Sequence, residues 1–181
     1  MLYRGYDVEC DTGVVDNCGE PFVADRVLVR GVYDFDPVHV FECGQCFRWN
    51  REPDGSYTGV VRGKVANVWY EPGTLIISNA TMDDFIDTWF DYFDLGRDYG
   101  MVKKAVIIDE IMEKAVEFGG GIRLLRQEPW EALLSFIISA NNRIPRIKKI
   151  IHDISRLFGK ETGIRGVRHT TVFRTQINWH R

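Results

Sequence analysis

Between Arg26 and Asn79 the chain is a succession of short apolar runs: RVLVRGV (26–32), VHVFEC (38–43), QCFRWN (45–50), SYTGVVRG (56–63), KVANVWY (64–70) and TLIISN (74–79). They are rich in β-branched and aromatic residues and often alternate with polar ones, the pattern of half-buried strands. Turn signals lie between them at Asp36-Pro37, Pro53-Asp54-Gly55, Gly63 and Glu71-Pro72-Gly73. This spacing predicts an antiparallel meander. One sheet has a face to bury, so it needs a second layer.

The second layer follows in the sequence. Thr81 can cap a helix carrying Phe85, Trp89 and Phe93, which ends before Gly96. Residues 101–118 place Val102, Ala105, Ile108, Met112, Ala115 and Val116 at helical spacing, and Gly119-Gly120-Gly121 ends that run. Pro129 stands where a helix over PWEALLSFIISA would begin. That helix is apolar on nearly all sides, which predicts a central place in a packed helical body. Pro145 opens another helix, with Ile147, Ile150, Ile151, Ile154, Leu157 and Phe158 on one face, stopped by Gly159. The fold class is therefore α+β, an antiparallel sheet followed by helices. The hinge SANNRIPR (139–146) is polar where its flanks are not. Spacing alone favours a helix C-cap there, with Asn141 or Asn142 in the left-handed conformation.

A chain of 181 residues can hold one domain or two small ones and should bury roughly 70% of its unfolded surface. No apolar run reaches the ~18 residues of a membrane helix. MLYRGYDVECDTGVV has no continuous apolar stretch of the signal-peptide kind. An intracellular protein is expected. The four cysteines are too few to form a disulfide scaffold at this length. Cys43 and Cys46 in FECGQCFRWN can be half a zinc site, a redox pair or two strand residues. A second C-x-x-C and an H-x-x-x-H pair are both missing from the sequence, and Phe47-Arg48-Trp49 reads as strand rather than helix. The spacing therefore favours a turn at Gly44-Gln45 with Cys46 as a small strand residue, and no metal.

Three segments in order carry a resemblance. FECGQCFRWN, then Phe93-Asp94-Leu95-Gly96-Arg97-Asp98-Tyr99, then GIRLLRQEPWEALLSFIISANNRIPRIKKIIHDISRLFG (121–159) closely resemble the 8-oxoguanine DNA glycosylases, bacterial members more than animal ones. The resemblance implies residues 25–127 as the N-terminal domain of that family and 128–160 as the start of its helical glycosylase domain. Residues 1–24 precede them and 161–181 form a tail. It implies that the backbone carbonyl of Gly44 faces the flipped base. 8-Oxoguanine has a hydrogen on N7 where guanine has a lone pair, and a missed buried hydrogen bond costs ~1–3 kcal/mol. It implies that Asn141 fills the gap left by the extruded nucleotide, with Arg146, and Asn142 less directly, on the orphaned partner base. Arg143 stands where some members have a third asparagine. The implied partner is double-stranded DNA containing 8-oxoguanine. No cofactor, metal or membrane is implied, and the setting is a bacterial cytoplasm.

The family's chemistry needs a lysine in a helix-hairpin-helix turn and an aspartate some twenty residues later. The lysine forms a Schiff base at the sugar. No G-V-G-x-K-like turn occurs in these residues, so no catalytic residue is named. The tail is unlike the rest. Residues 162–181 hold four arginines and no acidic residue, whereas all 26 acidic residues lie earlier. Such a stretch can be a basic arm for DNA, but a slipped reading frame is the preferred expectation. Read from the third base of each codon, His169 to His180 permits Tyr-Tyr-x-Phe-Pro-x-Pro-x-x-Leu-Ala, which resembles the family's segment at this place. A front part alone is expected to be inactive, poorly soluble and apolar on the surface of its 130–140 helix.

Overall fold

The computed structural model describes residues 1–17, 20–162 and 173–175. Its main body is one antiparallel sheet with strands β1 (Leu2–Tyr3), β2 (Tyr6–Asn17), β3 (Glu20–Val32), β4 (Trp49–Arg51), β5 (Tyr57–Val61), β6 (Lys64–Glu71) and β7 (Gly73–Ser78). The spatial order is β1-β2-β3-β7-β6-β5-β4. β4 to β7 form the expected meander. Arg62 and Gly63 both take positive φ, 48° and 83°. That is the two-residue turn whose twist suits adjoining strands, and it sets Val61 opposite Lys64.

β3 departs from the meander and closes on β7, with Arg26 opposite Ser78 and Arg30 opposite Thr74. The intervening run 38–43 is not a strand. Residues Pro37–Phe41 form helix α1, because the Asp36 side chain accepts a hydrogen bond from Val38 N at 2.8 Å and Pro37 suits the first turn. Asp36-Pro37 is thus a helix start rather than a turn. Of the run 45–50, also expected as strand, only the last two residues join β4. Toward the N-terminus, β2 pairs with β3 from Asp7 opposite Arg30 to Asn17 opposite Glu20. β3 meets β7 only from Arg26 onward. Beyond that point β2 and β3 continue as a two-stranded ribbon, with Val14 and Val23 exposed.

The covering layer begins with α2 (Met82–Asp84), a π-helical turn (Phe85–Trp89) and α3 (Phe90–Tyr92), which run on as one helix. Thr81 starts it through a reciprocal capping box with Asp84. This helix brings Phe85, Trp89, Phe90, Tyr92 and Phe93 into the core. There the Trp49 ring stacks on Phe41 at 4.3 Å and its Nε1 donates to Tyr92 Oη at 2.8 Å. Offset and edge-on aromatic pairs of this kind add to area burial.

The single helix expected over 101–118 is two, α4 (Tyr99–Val106) and α5 (Glu110–Phe118). Asp109 interrupts it by accepting a hydrogen bond from Met112 N at 2.8 Å, a local bond that competes with helix continuation. Ile108 is 82% exposed instead of lying in a buried stripe. α6 (Pro129–Ser139) and α7 (Ile144–Phe158) begin and end where their prolines and Gly159 place them. α6 is not central. Leu133 is 48%, Phe136 74% and Ile137 60% exposed, and Ser135 is its buried residue. α7 buries Ile147 and Ile151 but leaves Leu157 and Phe158 exposed. β8 (Lys160–Thr162) pairs with β9 (Phe173–Thr175) in a separate ladder. The frame-slip reading concerns a tail of which residues 163–172 and 176–181 lie outside the described residues.

Gly121 locks the helical layer to the sheet. Its carbonyl accepts from Asp36 N at 3.0 Å, and a Cβ on it would land inside Asp36 Cβ and the Asp36 backbone nitrogen. Gly121→Ala should lower the stability of the fold by about 1–3 kcal/mol, the usual cost of overpacking, read as a lower urea midpoint with an unchanged slope.

Candidate nucleic-acid interface

The loop that follows α1 is organised by Gln45. Its Nε2 donates to Val40 O at 2.9 Å and to Arg123 O at 2.8 Å, and its Oε1 accepts from Leu125 N at 3.0 Å. Gln127 Nε2 returns a bond to Gln45 O at 2.5 Å. The FECGQC segment is thereby fastened to the GIRLLRQ segment. The third segment joins through Arg123, whose buried guanidinium donates to Tyr33 O, Asp34 O and Asp94 O, each at 3.1 Å, and lies 4.5 Å from the centre of the Tyr99 ring. Asp94 accepts from Arg97 Nε at 2.6 Å, Arg126 Nε at 2.9 Å and Tyr99 Oη at 3.0 Å. Burial pushes the Asp94 carboxyl up, but the bonds from Tyr99, Arg126 and Arg97 outweigh it and hold it below its ordinary value.

Gly44 stands next to this clamp. Its φ of +89° is one that glycine adopts without strain. Among the described residues its carbonyl accepts no hydrogen bond, and a Cβ there would meet nothing within 4 Å. An unpaired backbone acceptor thus lies on a loop whose next residue is fixed by four hydrogen bonds, and the side of Gly44 where a Cβ would stand is open. The flanking cysteines are free thiols in different settings. Cys46 is buried in the loop rather than in a strand, and burial pushes its thiol up to about 12. Cys43 is exposed. Among the described residues no cluster of His, Cys, Asp and Glu has the makings of a metal site.

The hinge between α6 and α7 holds the other expected residues. Asn141 takes φ +54°, the left-handed conformation that spacing favoured. It is exposed, and its side chain has no hydrogen-bond partner among the described residues. The capping bond comes from its neighbour: Asn142 Nδ2 donates to Ile138 O at 3.2 Å. Arg146 lies exposed in the first turn of α7, also without an ion-pair partner among the described residues. Asn141 and Asn142 therefore lie in the hinge and Arg146 in the helical turn that follows, with Asn141 and Arg146 exposed and Asn142 engaged.

No hydrogen bond joins Gly44 to this turn, but both belong to one body. Arg48 Nη1 pairs with Glu131 of α6 at 3.3 Å, and Lys148 Nζ of α7 donates to Trp49 O at 2.7 Å. Burial raises the Glu131 carboxyl. A groove of about 270 Å³ between the loop and α7 has Arg48, Lys148, Lys149, His152 and Arg156 in its lining together with Asp153, which pairs with Lys149 at 3.0 Å. Basic side chains thus outnumber acidic ones there, although the chain's overall charge is −3. Gln45, Gln127, Arg123 and Asp94 were not singled out in the sequence. The available signal was the presence of amides and charges inside segments otherwise read as core.

Residues 27–133 match the family model for the 8-oxoguanine DNA glycosylase, N-terminal domain. The chain belongs to this family. It is 28% identical over 129 residues to the N-glycosylase/DNA lyase OGG1 of Arabidopsis thaliana, covering 65% of this chain and 34% of that protein. Over 39 residues it is 54% identical to the N-glycosylase/DNA lyase of Saccharomyces cerevisiae, 22% of this chain and 10% of that one. The solved structure of MBOgg1 with a low affinity DNA ligand aligns with a TM-score of 0.78 at 48% identity, over 91% of this chain and 54% of that one. The 8-oxoguanine glycosylase/lyase of Clostridium acetobutylicum with double-stranded DNA containing cytosine opposite 8-oxoG aligns at 0.78 and 41% identity, over 94% and 53%. The chain thus spans about half the length of these solved relatives and about a third or less of the curated ones.

Two outcomes test this geometry. Under mild alkylation near pH 8, Cys43 should be modified and Cys46 spared until denaturant is added, as read by peptide mass mapping. Asp94, held low in the fold, contributes stability that is present above the unfolded carboxylate value of roughly 4 and is lost as pH falls through its lower folded value. Asp94→Asn should therefore be less stable than the parent at pH 7, with the difference shrinking in acid unfolding titrations below about pH 4.

Proposed function

We propose that these residues are the reading front of a base excision repair enzyme that flips 8-oxoguanine out of duplex DNA and excises it. The whole enzyme would be a bifunctional glycosylase and β-lyase working through a lysine Schiff base. Residues 25–127 would form its N-terminal domain and 128–160 the first helices of its glycosylase domain. No lysine of these 181 residues is assigned to the chemistry, and no metal or organic cofactor is called for.

The observation that carries this reading is the Gln45 clamp beside Gly44 in a chain of this family. It offers an unpaired carbonyl to the N7–H of 8-oxoguanine, where guanine would present another acceptor. Extrusion of a nucleotide costs a few kcal/mol and leaves a gap. Asn141, exposed on its left-handed turn, fills that gap. Arg146 supplies guanidinium donors to the orphaned cytosine, and Asn142 can join it by releasing Ile138 O. The basic groove beside α7 is suited to backbone phosphates. Among the described residues no helix is long and apolar enough to cross a membrane. The identities of 41% and 42% with the Clostridium protein favour a bacterial cytoplasm as the setting.

A second reading, a non-catalytic fragment or binding module, is favoured by the exposed face of α6. The two are separated by fluorescence anisotropy with duplexes carrying 8-oxoguanine or guanine opposite cytosine. The repair reading expects tighter binding of the lesion duplex and a loss of about 1–3 kcal/mol in Asn141→Ala or Arg146→Ala. Equal affinity for both duplexes, unmoved by either variant, would overturn the Gly44, Asn141 and Arg146 assignments. Borohydride should trap no adduct with these residues alone. An adduct at any of their lysines would contradict the absence of a catalytic pair.

A further inference from the structure

The hydrogen bonds of Gln45 secure only one side of Gly44. On the other side stands Glu42, two residues before the glycine. Its backbone nitrogen donates to Val38 O at 3.0 Å and closes α1. Its side chain reaches the sheet, where Glu42 Oε1 accepts from Tyr57 Oη at 2.5 Å. Tyr57 belongs to β5 and is fixed before it meets the loop. It pairs with Arg51 of β4 on one side and Val68 of β6 on the other. Its ring is buried, 5.1 Å from that of Phe41, the residue before Glu42. Burial first, and then the Glu42 carboxylate, push the Tyr57 phenol above its ordinary value, so it keeps its proton and stays a donor.

The loop is therefore tethered twice, to the sheet at Glu42 and to the 121–127 segment at Gln45. Only Cys43 and Gly44 lie between the two tethers. Gly44 takes φ +89°, and no Cβ packs it in place. Its carbonyl is aimed through its flanks. The phenol and the carboxylate have no part in the lesion-reading assignments made so far.

We propose that Tyr57 is a positioning residue for lesion discrimination, holding Glu42 and through it the direction of the Gly44 carbonyl. This role rests on the Gly44 reading under the proposed function and adds the sheet residue that fixes the leading side of the loop. Glu42 is exposed. Without the phenol its carboxylate turns to water, so the loop loses a tether while no buried charge is stranded. A carbonyl swung out of line favours N7–H over a lone pair less, because hydrogen bonds weaken steeply with angle. The effect falls on selectivity, since phosphate contacts are common to either duplex.

The test is fluorescence anisotropy of the 181-residue protein and its variants with duplexes carrying 8-oxoguanine or guanine opposite cytosine, under conditions where urea transitions show each protein fully folded. The ratio of the two affinities cancels general effects of charge and of stability. Tyr57→Phe should lower that ratio about two- to tenfold, as loss of one hydrogen bond does. Glu42→Ala should do the same, and the double variant no more than either alone, because both changes remove one contact. Glu42→Gln keeps an acceptor for the phenol and should keep most of the ratio. An unchanged ratio in Tyr57→Phe, with a parent that discriminates, overturns the role of Tyr57 and leaves the Gly44 reading intact. Losses that add in the double variant overturn it too, as does a Glu42→Gln loss as large as that of Glu42→Ala, which assigns the effect to charge. Equal affinity of the parent for both duplexes overturns the Gly44 reading and this role with it.

Discussion

Arg123 donates to the backbone carbonyls of Tyr33, Asp34 and Asp94, and so holds the end of β3, the loop before α1 and the turn after α3 around one guanidinium. Those carbonyls are far apart in sequence, and each would be costly to leave unpaired in the interior. The planar guanidinium can serve several acceptors at once, with its face on Tyr99. A lysine would offer three donors from a single atom, without the planar spread that reaches these separated carbonyls. Asp94 returns the favour on its side-chain oxygens by gathering Arg97, Arg126 and Tyr99. Each guanidinium nitrogen of Arg123 and each carboxylate oxygen of Asp94 has a hydrogen-bond partner, the condition under which burial is tolerated.

The candidate interface depends on this junction at one remove. Arg123 fixes the irregular segment 121–127, that segment fixes Gln45 through Arg123 O and Leu125 N, and Gln45 fixes the backbone next to Gly44. Precision at an unpaired carbonyl requires such a supporting shell, because the glycine itself supplies no rigidity. The hinge residues are held differently. Asn141 is aimed by backbone conformation, with its neighbour Asn142 absorbing the helix-end carbonyl. One half of the interface is therefore built from side-chain hydrogen bonds and the other from a turn.

β5, β6, β7, the second half of β3 and the last two helices were legible in the sequence, since turn residues and prolines act locally, whereas β1 and β2 lie in residues 1–24, which the sequence marks only as a preceding segment. Pro129, Pro145 and Gly159 mark helix ends almost to the residue. The errors came where a short polar side chain had two local uses. Asp36 serves as a helix cap where a turn was expected, which removed a strand and sent β3 to β7. Asp109 capped a new helix inside an unbroken apolar period. The site was legible only by resemblance. Gly44, Asn141 and Arg146 are small or exposed, and nothing in their spacing sets them apart. The clamp residues escaped notice because their partners are backbone atoms up to 90 residues away.

The ribbon beyond the Arg26–Asp11 pair has a separate consequence. Apart from Asp25 O, which accepts from Ala80 N at 3.2 Å, the ribbon has no ladder partner beyond its own two strands, whereas the strands of the sheet proper are buttressed by neighbours and by the aromatic layer. A two-stranded ribbon is marginal by itself. The molecule therefore has two tiers of cohesion: a body that opens only as a whole, and a projecting arm whose amides exchange through local openings. Insertions or labels placed on that arm would ride on the protein without entering its cooperative unit.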